Sequence, residues 1–157
     1  IDALNFTMQH DDGRLPEDLN KADIILLGIS RTSKTPTSIY LAQRGYKTTN
    51  LPLVPEIPLP PALTEPHSAF VACLVASVDR VTEVRRNRAL LMSDRDINAY
   101  ADRTQIAEEI AYSRRICAEH GWPVIDVTRK SVEETAATVI QMMNDRRSDA
   151  RVTEPSP

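Results

Sequence analysis

Apolar residues in this chain gather in short unbroken runs, and between the runs they recur at helical spacing. Ala22 to Ser30, ADIILLGIS, is the first run, and its continuity predicts a strand covered on both faces, as in a parallel sheet. Pro36 follows where a first helical turn tolerates proline; Ile39, Tyr40, Leu41 and Ala42 continue to Gly45, a natural stop. Lys47 to Val54 predicts a second strand, after which Pro52, Pro55, Pro58, Pro60 and Pro61 predict an extended, polyproline-like connection. AFVACLVAS, Ala69 to Ser77, predicts a third strand, and Asp79 is a candidate start for a helix carrying Val81, Val84, Arg85, Arg86 and Arg88. A longer helix is expected from about Arg103 to His120, opened by Asp102 and stopped by Gly121. Trp122 to Val127 predicts a fourth strand, and Ser131 with Glu134 has capping-box spacing before a last helix through about Met143.

Strands alternating with helices call for an α/β fold, a parallel sheet with right-handed crossovers and flanking helices. In such sheets ligands gather at the carboxyl ends of the strands. The chain has 157 residues, 41% hydrophobic and 26% charged, which suits one core spanning residues 1–145. The stretch RRSDARVTEPSP, residues 146–157, has too little apolar content to fold alone and is expected to be a mobile tail.

Charge and cysteine usage narrow the function classes. A net charge of -3 offers no overall basic face to nucleic acid, and no apolar run approaches the about 20 residues needed to span a bilayer. Cys73 lies in a strand-like run and Cys117 in a helix-like one, so two separate buried thiols are expected in preference to a disulfide. Such thiols suit a reducing, cytoplasmic setting. The opening residues IDALNFTMQHDDG lack the basic start and apolar stretch of a secretory signal, and Ile1 in place of Met points to sequence upstream.

Candidate chemistry begins directly after the first strand. Gly28-Ile29-Ser30-Arg31-Thr32-Ser33-Lys34-Thr35 follows the phosphate-loop pattern G-x-x-x-x-G-K-[ST], with Ser33 where the second glycine belongs. Phosphate needs inward backbone N–H donors, a helix N-terminus and a compact cation. The loop, the helix around Pro36 and Lys34 can supply these, and Thr35 can place a hydroxyl on Mg²⁺. Ser33 must either bend the loop differently or accept strain, because its Cβ disfavours positive φ. The alternative is a Ser/Thr-rich turn that caps a helix. Arg31 could offset charge on a transferring phosphoryl group, or be an ordinary loop arginine.

Other features are weaker taken alone. In His10-Asp11-Asp12-Gly13 a carboxylate near the loop could hold Mg²⁺ or accept a proton, although acidic residues beside glycine favour a solvated turn. Asp79 is either a metal-ordering carboxylate or a helix cap. Arg85, Arg86 and Arg88 suit a lid over phosphates, a docking surface or a solvated helix face. His120 beside Gly121 reads as a residue at a helix end, and His67 as a loop residue; neither suggests a metal site.

The segment GISRTSKTPTSIYLAQRGYKTTNLPLVPEIPLP closely resembles the core of the regulatory proteins of pyruvate, phosphate dikinase and phosphoenolpyruvate synthase. HDDG, EVRRNR, YADRTQIAEEIAYSRRI and HGWPVIDVTRKSVEETAATVI resemble further segments of that family, in family order, so the likeness covers nearly the whole chain. It implies a P-loop kinase-like α/β fold and a bifunctional enzyme. Such an enzyme phosphorylates a target threonine with ADP as donor, and removes that phosphate with inorganic phosphate, releasing pyrophosphate. Gly28 through Thr35 matches the family's nucleotide loop position by position, Ser33 included. The resemblance implies Lys34 on the β-phosphate, Thr35 or Ser33 near Mg²⁺, Arg31 beside the transferred group, and Asp12 as proton acceptor or metal organiser. It also implies a bacterial cytoplasmic protein, a homodimer, and a further family region ahead of HDDG that these residues do not include.

Two other readings share the same features. A small-molecule kinase would transfer phosphate to a metabolite without a target protein, and an ADP-sensing module would bind through Lys34 without turnover. Sequence alone does not choose between the two target enzymes.

Overall fold

The structure, a computed structural model, describes residues 2–10, 19–91 and 99–153. In chain order it contains α1 (Asp2–Gln9), a 3₁₀ turn (Leu19–Lys21), β1 (Ile24–Gly28), α2 (Lys34–Gln43), β2 (Thr48–Pro52) and α3 (Pro61–Thr64). It continues with β3 (Phe70–Val75), α4 (Val78–Leu91), α5 (Ala99–Glu119), β4 (Val124–Asp126) and α6 (Val132–Thr153). The four strands form one sheet in the order β2-β1-β3-β4, every neighbouring pair parallel. The expected α/β architecture is therefore present.

Strand β1 is central and covered on both faces. Ile24 and Leu26 join one core cluster with Leu41, Phe70, Leu74, Val81, Ile106, Val139 and Met143, while Ile25 and Leu27 join another with Leu63, Val71, Cys73 and Cys117. This is the two-residue alternation of a strand, with both faces apolar because helices cover both. All four β1 side chains are fully buried, each worth about 1.5–3 kcal/mol of transfer free energy. Cys73 and Cys117 are both free and buried, as expected. A hydrogen bond with Cys73, together with burial, pushes the Cys117 thiol far above its usual range, so it stays protonated and unreactive.

Several boundaries differ from the sequence expectation. The proline-rich connection is extended at Pro60, but it also holds a turn closed by Ile57 N–H to the Val54 carbonyl (3.0 Å) and the single helical turn α3, with Pro61 in its first turn. Helix α4 starts at Val78, and its cap is Ser77, whose Oγ accepts from Arg80 N–H (3.1 Å). Asp79 is therefore a first-turn residue, not the cap, and its exposed carboxylate pairs with Arg103. The expected capping box is formed: Glu134 N–H donates to Ser131 Oγ (3.1 Å) and Ser131 N–H to Glu134 Oε1 (3.4 Å). Helix α6 runs past Met143 to Thr153, so residues 146–153 are helical where a tail was expected. Once the packed part of a helix has nucleated, each added residue needs only one further backbone bond, and a polar stretch can continue it.

Helix α1 was not foreseen. It is pinned to the edge strand: Thr48 N–H donates to Thr7 Oγ1 (3.1 Å), and Thr49 Oγ1 donates to the His10 carbonyl (2.6 Å).

Candidate active site at the carboxyl edge of the sheet

The loop after β1 leaves the sheet at its centre, beside the carboxyl end of β3. The chain steps to β2 on one side of β1 and then to β3 on the other, which opens a crevice at this edge. Gly28 is required there. A Cβ on it would lie 2.6 Å from the Leu74 carbonyl oxygen and 2.8 Å from Thr32 Oγ1, so only glycine lets loop and neighbouring strand approach this closely.

The loop accepts backbone strain. Ser33 has φ 64° and ψ 25°, and Arg31 has φ 69°; they are the two non-glycine residues at positive φ among the described residues. Of the two routes open to Ser33, the chain takes the left-handed one that glycine would adopt freely. Such positions cost of order 1 kcal/mol or more and cluster at ligand clamps. Ser33→Gly is therefore expected to raise stability by about 0.5–1 kcal/mol, part of the relief being lost to glycine's greater unfolded freedom. Urea unfolding measures this, and an unchanged or lower midpoint would contradict the strain.

Hydrogen bonds hold the strained turn. Thr32, buried, donates from Oγ1 to the Ile29 carbonyl (2.8 Å), and Lys34 Nζ donates to the same oxygen (2.6 Å). Lys34 is only 6% exposed, placed at the first residue of α2 beneath the loop. From outside, Arg85 donates to Ser30 Oγ (2.8 Å) and to the Ser30 carbonyl (3.3 Å), and pairs with Glu109 of α5 (2.8 Å). Arg85 thus tethers the loop to two helices instead of standing over it as a free lid. The side chains of Arg86 and Arg88 lie outside the described ones.

The helix starts at this edge that follow the loop, β3 and β4 differ in their caps. Ser77 caps α4 and Ser131 caps α6, whereas Ser33 makes no side-chain cap to α2. The N-terminus of α2 is where amide donors and the positive end of the helix dipole face the crevice.

The crevice is a cleft of about 590 Å³. Ser30, Arg31, Thr32, Ser33, Lys34 and Thr35 line it from the loop, Asn50 and Pro52 from β2 on one side of β1, and Arg80 and Lys130 from the segments after β3 and β4 on the other. Among the described residues its charged lining is cationic, Arg31, Lys34, Arg80 and Lys130, on a chain whose net charge is -3. The cleft is thus built for an anion. Of the expected loop residues, Gly28 and Ile29 form the base and the other six line the cleft. Asp11 and Asp12 lie outside the described residues. His10 Nδ1 lies 2.7 Å from the Phe6 carbonyl at the end of α1. His120 stacks on Trp122 (4.5 Å), and His67 Nε2 lies 3.1 Å from the Leu63 carbonyl; neither lines the cleft. Asp79 also lies outside its lining. The sequence reading missed Arg80, Lys130 and Asn50. The signal was positional, since Asn50 lies within β2 and Arg80 and Lys130 lie in the segments that follow β3 and β4.

Residues 1–140 match the family described as kinase/pyrophosphorylase. The chain is 57% identical over 142 residues to a protein of Chelativorans sp. (strain BNC1) named "Putative pyruvate, phosphate dikinase regulatory protein", covering 90% of this chain and 52% of that one. A protein of the same name from Bartonella bacilliformis is 55% identical over 149 residues, 95% of this chain and 53% of that one. Another, from Rhizobium meliloti (strain 1021), is 53% identical over 143 residues, covering 90% and 52%. The chain spans about half the length of these relatives. The family match takes in all four strands, the strained loop and every residue of the cleft, so the chain belongs to the kinase/pyrophosphorylase family.

Proposed function

We propose that this chain is the nucleotide-binding catalytic part of a bifunctional regulatory enzyme. It transfers the β-phosphoryl group of ADP to a threonine of pyruvate, phosphate dikinase, the enzyme its relatives' names point to, or of phosphoenolpyruvate synthase. It removes the same group by phosphorolysis, releasing pyrophosphate. The observation that carries this reading is the α2 N-terminus, uncapped by Ser33, under a strained loop and in a cleft whose charged lining, among the described residues, is cationic.

Each part has a role in the transfer. Loop and helix amides receive the diphosphate, with Lys34 placed beneath to follow the charge of the β-phosphoryl group and Arg31 at the rim to offset charge spread over its oxygens. Asp12 is the proposed acceptor of the threonine proton. This role is carried over from the resemblance in the HDDG segment.

For Mg²⁺, Thr35 is exposed in the first turn of α2, and the described lining has hydroxyls but no carboxylate. This donor set suits an ion held chiefly by nucleotide phosphates and water, with Thr35 as a protein ligand. When bound, it would neutralise phosphate charge.

The test supplies labelled inorganic phosphate with threonine-phosphorylated dikinase. The reading expects labelled pyrophosphate; release of unlabelled inorganic phosphate alone would mean hydrolysis and contradict it.

A further inference from the structure

We propose that Arg80 and Lys130 form a second phosphate subsite, in the part of the cleft built by the segments after β3 and β4. It takes the phosphate bonded to the transferred group: the α-phosphate of ADP in one direction, inorganic phosphate in the other. This rests on the function proposed above and assigns residues to a part of the chemistry that the loop alone does not serve.

The reaction requires such a place. In the forward direction the threonine oxygen attacks the β-phosphorus, the bond from that phosphorus to the bridging oxygen breaks, AMP leaves and the threonine proton passes to the base. In reverse an oxygen of inorganic phosphate attacks the phosphothreonine phosphorus, a P–O–P bond forms, the bond to the threonine oxygen breaks, and that oxygen regains a proton. In-line displacement puts the departing AMP oxygen and the attacking phosphate oxygen on the same side, opposite threonine. One cationic pocket therefore serves both directions.

The geometry supplies one. Arg80 stands in the first turn of α4 and Lys130 in the loop from β4 to α6, and both line the cleft. These two segments are fastened to each other independently of the phosphate loop. Ser77 N–H donates to Thr128 Oγ1 (2.9 Å), Thr128 Oγ1 donates to Asp126, and Thr128 N–H donates to Asp126 Oδ1 (2.9 Å). These bonds from Thr128 hold the Asp126 carboxyl below its usual range, keeping it an acceptor at neutral pH. Lys130 N–H closes the turn onto the Val127 carbonyl (3.1 Å). Ser77 and Ser131 each engage one first-turn amide, that of Arg80 in α4 and that of Glu134 in α6, and the side chains of Arg80 and Lys130 supply the positive charge here. Both are lightly held: Arg80 meets Glu83 at 3.7 Å with more than half of its side chain exposed, and Lys130 Nζ meets Thr138 Oγ1 at 3.5 Å.

Calorimetric titration of ADP and of pyrophosphate into the chain, at fixed ionic strength, tests this with Arg80→Ala, Lys130→Ala and Arg44→Ala, the last an exposed arginine at the far end of α2. Melting curves of these surface variants report the fold. The expected result is about five- to tenfold weaker binding of both ligands by the Arg80 and Lys130 variants, with Arg44→Ala like the parent. Equal loss in all three would show a long-range charge effect and overturn the subsite. Parent-like binding by the Arg80 and Lys130 variants would overturn it while leaving the proposed function standing. Failure of the parent chain to bind either ligand would overturn both.

Discussion

Lys34→Ala is expected to lower phosphoryl transfer by about 10³-fold or more while leaving the chain folded. The ammonium of Lys34 is the buried cation of the cleft, and removing one preorganised charge-stabilising donor from a transfer site costs about 10²–10³-fold in rate. On the proposed function Lys34 also orients the nucleotide, which adds to the expected loss. Its structural share is smaller. Nζ donates to the Ile29 carbonyl, but Thr32 Oγ1 donates to that oxygen too, so the alanine variant leaves it a partner and unfolding shifts by about 1 kcal/mol. Initial rates of label transfer from ADP, beside a urea unfolding curve, separate the two effects. Transfer at the parent rate would remove the loop from the mechanism.

Gly28→Ala is expected to act on stability first. The new Cβ would sit 2.6 Å from the Leu74 carbonyl oxygen, in a buried stretch of β3, the strand beside β1. Thr32 Oγ1, at 2.8 Å, could rotate away only by giving up its bond to the Ile29 carbonyl. Either β1 and β3 separate or the loop takes another path. Overpacking of this kind costs about 1–3 kcal/mol, and backbone on one side places this case at the upper end. For a chain of this size that is a fall in melting temperature of about 6–12 °C. Differential scanning calorimetry reads it directly. A melting curve superimposable on the parent's would mean that the close approach of loop and strand contributes nothing.

The strands were legible because both their faces are buried. ADIILL and AFVACLV show continuous apolar runs that no solvated helix would carry, and their alternation with helical segments fixes a parallel α/β sheet. Helix α1 was not legible, since DALNFTMQ is short and mixed and its anchor is Thr7 on a strand that begins some forty residues later. At Ser33 the sequence stated the conflict, a Cβ in a glycine position, but could not say which side would give way; the φ of 64° shows that the backbone did. Arg85 looked like part of a solvated or lid-forming cluster until the fold set Glu109 and Ser30 beside it. Arg80 and Lys130 are the plainest case. Fifty residues apart and both exposed, they resemble any surface cations, and only the carboxyl edge of the sheet gathers them with Lys34. Long-range placement of charge is what a one-dimensional pattern does not carry.

The most direct test of the central claim is to incubate the chain with ADP labelled in its β-phosphate and histidine-phosphorylated pyruvate, phosphate dikinase, with phosphoenolpyruvate synthase in parallel, then locate the label. The account expects label on threonine of one target, with AMP formed in equal amount and none of this with Lys34→Ala. ADP bound at the cleft with no label on either protein would contradict it.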